Sequence, residues 1–260
     1  PYAQRQFVQF ETVATPLPEK KRDENEDLSV IDVVSAFLLV RKTLPVWIAE
    51  KALQKYEEAR KMGIEVVPVP VEQAAAFSLP PGHPQMNVLY VAHPSDPKTY
   101  LPTADFHRLV FEHKFAEATR LLMYLGAKTI NVTHTRGWDH EFASTLSAGI
   151  PEAGVRANTE AGSEIESSTE LLYEAELAGH DDPRLPNDMI WYPHEPTWRS
   201  AARARIEFGL KRFSLKLQYT DDYGVNAELA VDAQNSGFSL GGSFERHQKT
   251  VWSFEGEFED

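Results

Sequence analysis

The chain has 260 residues, 42% of them hydrophobic and 25% charged, which describes a globular protein with enough apolar side chains for a real core. With 26 basic against 39 acidic residues the formal charge is −13, so the broad basic footprint of a nucleic-acid binder is missing and no nucleic-acid partner is expected. The absence of cysteine excludes disulfide scaffolds, zinc fingers, thiol nucleophiles and palmitoyl anchors together.

The start, Pro1-Tyr2-Ala3-Gln4-Arg5, carries neither an initiator Met nor a signal-peptide pattern, so a processed or trimmed terminus is expected. Residues 1–27 read as an arm and linker, because Pro16 and Pro18 precede a run of mixed charge from Glu19 to Asp27. Leu28 to Val40 is the most apolar stretch, but it is short and contains Asp32, which predicts a buried element rather than a membrane span.

Residues 28–128 alternate helical and strand signals. Pro45 suits the first position of a helix whose apolar stripe is Ala49, Ala52, Leu53, Tyr56 and Ala59, and Gly63 stops it. Short strands are expected at Ile64 to Val69 and Met86 to Ala92. A second helix is expected at Thr103 to Leu125, with Phe111, Phe115, Ala118, Leu122 and Leu125 facing the core and its histidines facing out. A strand at Thr129 to Thr133 follows.

Residues 129–260 have period two almost throughout. From Val155 to Leu177 odd positions are small or apolar and even positions are largely Glu, far beyond the about five or six residues of an ordinary strand. Phe142 to Ile150 alternates as well, and Pro151-Glu152-Ala153-Gly154 breaks the two runs as the tip of a long hairpin would. Ser168 to Ala178 also satisfies helical spacing, which leaves a helix open there. After a helix at Thr197 to Glu207 the alternation returns as a meander: Phe213 to Tyr219, Val225 to Ala233, Phe238 to Phe244, and Trp252 to Phe258. The expected fold class is α+β in a single domain, with a mixed first half and a long-stranded antiparallel sheet in the second.

Long alternating segments rich in Ala, Gly, Ser and Thr suit a hairpin that is soluble before it meets lipid. The stretches Ser144 to Pro151, Ser163 to Glu170, Pro196-Thr197-Trp198 opening a helix, and Gly241-Gly242-Ser243-Phe244 follow one another in an order that resembles gasdermins. More distantly the layout resembles the membrane-attack/perforin fold. The resemblance covers Thr129 to Phe258 at most. It implies a pore-forming effector in cell death, immunity or toxin action, in which two hairpin regions flanking a curved sheet unfold into a β-barrel. It also implies membrane lipid and further copies of the chain as partners, and a cytoplasmic form that becomes membrane-associated when active.

The parity of the alternation then assigns faces. Val155, Ala157, Thr159, Ala161, Ile165, Phe213, Leu215 and Leu217 would face the membrane, and Glu160, Glu164, Glu166, Glu170, Glu174 and Glu176 would line the pore. No catalytic residue, metal or cofactor is required.

Two other classes compete. His107, Glu112 and His113 share a helix at a spacing that separates them, whereas His134, Asp139, His140 and Glu141, and His180, Asp181, Asp182, Asp188, His194 and Glu195, are loop clusters that a metal-assisted hydrolase could use. The string Trp191-Tyr192-Pro193-His194-Glu195-Pro196-Thr197-Trp198 reads as an aromatic plug or a ligand-binding loop. A non-catalytic protein-interaction module would equally explain the lack of phosphate-binding, nucleophile-elbow and zinc-protease motifs.

Overall fold

The computed structural model describes residues 6–11, 46–139, 142–143 and 171–259. Among these the chain order is β1 (Phe7–Glu11), α1 (Val46–Lys61), β2 (Val66–Pro70), β3 (Leu89–Ala92), β4 (Tyr100–Pro102), α2 (Phe106–Tyr124), β5 (Thr129–Arg136), β6 (Leu171–Glu176), α3 (Pro196–Phe208), β7 (Arg212–Tyr219), α4 (Ala227–Asn235) and β8 (Thr250–Glu257). The fold is α+β, with two four-stranded sheets ordered β2-β1-β3-β4 and β6-β5-β8-β7. The chain divides into two units that are not successive halves of the sequence: Pro1–Arg108 with Tyr223–Arg246, and Leu109–Asp222 with His247–Asp260.

In the first unit β1 is a central strand, parallel to β2 and antiparallel to β3, where an arm was expected. Its residues are buried throughout, so its polar side chains need partners. Tyr56 on α1 supplies them: its hydroxyl donates to Glu11 Oε1 (2.5 Å) and lies 2.7 Å from Gln9 Oε1, while Gln9 Nε2 donates to Asn87 Oδ1. Burial, and then the charge of Glu11, push the Tyr56 hydroxyl far above its ordinary pKa. The apolar core here is Val8, Phe10, Val69, Val88, Tyr90 and Tyr100, with Phe77 edge-on to Phe10 and Tyr100.

In the second unit α2 lies along the inner face of the antiparallel sheet. Phe111 and Phe115 pack edge-on against Trp252, at 4.8 and 5.6 Å between ring centres, and Phe115 also meets Tyr173 and Phe254. All five positions expected on the core face of this helix are buried. Arg205 of α3 is buried too, donating to the carbonyls of Leu125, Leu210 and Glu259.

Several expectations need correction. Val225 to Ala233 is no strand: α4 occupies 227–235, because the Asn226 side chain accepts from Leu229 N–H as a cap, Ala and Leu favour helix, and Ala230 and Ala233 bury one helical face. Phe238 and Leu240 are buried, but that segment forms only an isolated bridge from Ser239 to Val88. His107 does not face out. It is fully buried, with Nε2 2.5 Å from the Val225 carbonyl and Phe244 edge-on to its ring. Leu171–Glu176, by contrast, is strand as the alternation predicts, and the helix left open there does not form, since pairing with β5 outweighs the helix propensity of Glu, Ala and Leu. Phe142 and Ala143 lie in a helical turn, with Ala143 N–H on the Asp139 carbonyl, and not in a strand.

Candidate functional site

The second sheet is antiparallel at every step, so its strands alternate in direction from β6 to β7. Two long connections join its hairpin pairs: residues 137–170 link β5 to β6, and residues 220–249 link β7 to β8. The register shows where they leave. Thr133 pairs with Leu171, Arg136 with Val251, and Tyr219 with Thr250, so both connections depart from the same end of the sheet.

That end is built by aromatic residues around one glycine. Gly137 has φ +92°, and a Cβ there would come within 2.4 Å of Thr250 Oγ1 and 2.8 Å of the Lys249 carbonyl, so only glycine fits. Trp138 then folds inward: its N–H donates to Thr250 Oγ1, and its carbonyl accepts from Trp252 Nε1 at 2.8 Å. The Trp138 ring stacks on Phe142 at 4.4 Å and on Tyr219 at 5.7 Å, with Phe111 edge-on. The start of the first connection is thus fastened to the first residue of β8, where the second connection ends.

Beside it lies an open depression lined by Thr220, Asp221, Asp222, His247 and Lys249. The His247 ring lies 5.2 Å from that of Tyr219. Burial lowers its pKa, against the opposing pull of Asp222, a hydrogen bond to the Tyr219 backbone and Asp221, and Lys249 lowers it further. A histidine with a depressed folded-state pKa leaves stability intact above its unfolded value of about 6.5 and removes it as pH falls towards the folded value. The melting temperature is therefore expected to fall between pH 7.5 and 5.5. His247→Gln should flatten that fall without abolishing it, because burial lowers the pKa of His83 as well. Thermal melts of both proteins at the two pH values check this.

The residues assigned from sequence fall into three groups. Val155, Ala157, Thr159, Ala161, Ile165, Glu160, Glu164, Glu166 and Glu170 lie outside the described residues. Phe213, Leu215 and Leu217 form the buried row of β7, while Glu174 and Glu176 are exposed on β6. Among the described residues no three His, Cys, Asp or Glu side chains converge as a metal site would require. In the two loop clusters His134 Nε2 lies 3.2 Å from the Gly137 carbonyl, His180 Nε2 lies 3.1 Å from the Met123 carbonyl, and Glu195 pairs with Lys114 at 2.5 Å. His140 and Glu141 lie outside the described residues.

The aromatic string is a plug, with Trp191 and Trp198 buried. Its anchors are two buried charged residues of α2, Lys114 and Glu117. Glu117 accepts the backbone N–H groups of Ile190, Trp191 and Tyr192 at 2.7–2.8 Å. Lys114 lies over the Trp191 ring and donates to the Gln218 carbonyl. The sequence signal was available for Lys114, which borders the stripe of Phe111, Phe115 and Ala118, but not for Glu117, about 120° of helix rotation from Phe111.

Comparison with family models, with characterised proteins and with solved structures gives no match. Among the described residues no helix is long and apolar enough to cross a membrane.

Proposed function

We propose that this chain permeabilises membranes as an oligomer, by extending the β5–β6 and β7–β8 pairs into two hairpins that enter the bilayer. The supporting observation is the departure of both long connections from one end of a four-stranded antiparallel sheet. Extension at that end lengthens all four strands in the directions they already run, and closed β-structure is one of the two ways a backbone satisfies its hydrogen bonds in lipid. The sequence of the connections supports the same reading. Val155 to Thr169 alternates at period two, and residues 225–233, of which 227–233 lie in α4 here, alternate apart from Ala230 and so suit a second, extended state. On this reading the chain is cytoplasmic before activation and membrane-associated afterwards, and no catalytic residue is needed.

Release of a trapped dye from vesicles tests the reading. The net charge of −13 makes zwitterionic phosphatidylcholine the first lipid to use, because anionic headgroups would repel the protein. The full chain is expected to release dye. A variant in which residues 144–168 are replaced by a short Asn-Gly turn should fold and release none. No release by the full chain, or equal release by the shortened one, would contradict the proposal.

A second measurement concerns the conducting path. With odd positions towards lipid, the six glutamates line the lumen and make the pore cation-selective. Reversal potentials across a salt gradient should show cation preference that weakens when several of them are changed to Gln; an anion-selective pore would refute the orientation.

A further inference from the structure

In the first unit a single hydroxyl holds down an exposed strap, residues 80–87. Pro80-Pro81-Gly82-His83 makes a tight turn: Gly82 has φ +81°, as a proline-glycine centre favours, and His83 N–H donates to the Pro80 carbonyl at 3.2 Å. At the other end Asn87 is fixed twice, its carbonyl accepting from Ser239 N–H and its Oδ1 from Gln9 Nε2. Between these ends, among the described residues, the strap's remaining hydrogen bonds both go to the Tyr90 hydroxyl. Gln85 N–H donates to it at 2.7 Å, and His83 Nδ1 lies 2.6 Å from it. Tyr90 is fully buried and edge-on to both Phe10 and the His83 ring, whereas Pro81, Gly82, Gln85 and Met86 are exposed, so water reaches the strap but not the tyrosine.

Proton counting fixes the direction of the histidine bond. The Tyr90 oxygen carries one hydrogen, and Gln85 N–H already occupies an acceptor position on it. The Tyr90 O–H therefore donates to a bare His83 Nδ1, with the ring proton on Nε2. A protonated His83 carries hydrogen on both nitrogens. Its Nδ1–H can then only donate to the Tyr90 oxygen, and the hydroxyl hydrogen is left with no other acceptor among the described residues. A buried donor without an acceptor carries its full desolvation cost, which opening of the strap relieves.

We propose that His83 is an acid-sensitive latch: neutral, it holds strap 80–87 closed on Tyr90, and protonated, it lets the strap open. This goes beyond the permeabilisation reading and does not depend on it. Among the described residues the charged group acting on the ring is Asp105, which favours protonation; it is paired with Arg108 at 3.0 Å, and Arg108 lies 3.5 Å from Glu245 as well. Burial outweighs the pull of Asp105 and lowers the His83 pKa, the same direction as the hydrogen bond to its neutral form. Opening is local, because both ends of the strap keep their own bonds.

The Gln85 amide is the reporter, since its partner is the latch itself. In an open strap His83 takes up its proton at about pH 6.5, so going from pH 7.5 to 5.5 favours opening about tenfold while the closed ring stays neutral. Backbone hydrogen exchange of the full chain, read by NMR and corrected for the intrinsic effect of pH, is expected to show about a tenfold loss of protection at Gln85. The Thr103 amide, which donates to the Leu89 carbonyl in the same unit, should lose less than about twofold. In His83→Gln the protection of Gln85, whatever its level, should be the same at both pH values. Tyr90→Phe keeps the buried ring and removes the hydroxyl, so Gln85 should exchange freely at both.

Protection of Gln85 that changes less than about twofold with pH in the unaltered chain would overturn the proposal. So would a pH-dependent loss that persists in His83→Gln, or one shared equally by Thr103, which would mark general loosening. Failure of the chain to release dye leaves these readouts untouched.

Discussion

Ala157→Asp and Ile165→Asp are expected to abolish dye release, whereas Asn158→Asp is expected to leave it within about twofold of the unaltered chain. The difference follows from parity. Residues 155–169 alternate small or apolar odd positions with even positions that, Gly162 apart, are polar, and a strand places these on opposite faces. An odd-position carboxylate would face hydrocarbon at a cost on the order of a few kcal/mol per copy near the midplane. Every copy in a ring carries the same substitution, so the cost multiplies and insertion fails. An even-position carboxylate adds one charge to a wall already rich in glutamate. Equal loss at both parities would remove the strand assignment.

Glu117→Ala is expected to destabilise the second unit as much as truncating one of its buried aromatic side chains. The carboxylate is buried and takes three consecutive backbone N–H groups, from Ile190, Trp191 and Tyr192. Hydrogen bonds to a charged group contribute about 1.5–3 kcal/mol each, and buried donors left without an acceptor add their own desolvation cost. A net loss of about 4 kcal/mol or more is expected, with a fall in melting temperature of about 10 °C. Glu117→Gln keeps one acceptor oxygen and should fall between. A loss below about 1 kcal/mol for Glu117→Ala would mean that the aromatic string holds its place by packing alone.

The helices that position the site were legible because their signals were redundant. In α2 the apolar spacing from Phe111 to Leu122 and the glycine at 126 agree, and in α3 Pro196 and Gly209 mark the two ends. β7 and β8 were legible because alternation and burial coincide along each strand. Residues 225–233 were misread because Val225, Ala227, Leu229, Val231 and Ala233 satisfy period two while Ala230 and Ala233 satisfy a helix, and the deciding Asn226 cap is a single side chain. β1 was missed because a five-residue strand with Gln9 and Glu11 in it has no pattern of its own; its place depends on Tyr56, far along the chain. The shared end of the two connections was not legible at all. It follows from strand order, which depends on β5 pairing with β8, and no local signal encodes that pairing.

Entry of residues 155–169 into the bilayer as strand can be read one position at a time, because the chain has no cysteine. Single cysteines introduced from Val155 to Thr169 and labelled with an environment-sensitive fluorophore would be measured on phosphatidylcholine vesicles, with a lipid-soluble and a water-soluble quencher in turn. The two quenchers are expected to alternate with period two, odd positions answering to the lipid quencher and even positions to the aqueous one. A period near 3.6, or uniform access from water at every position, would contradict it.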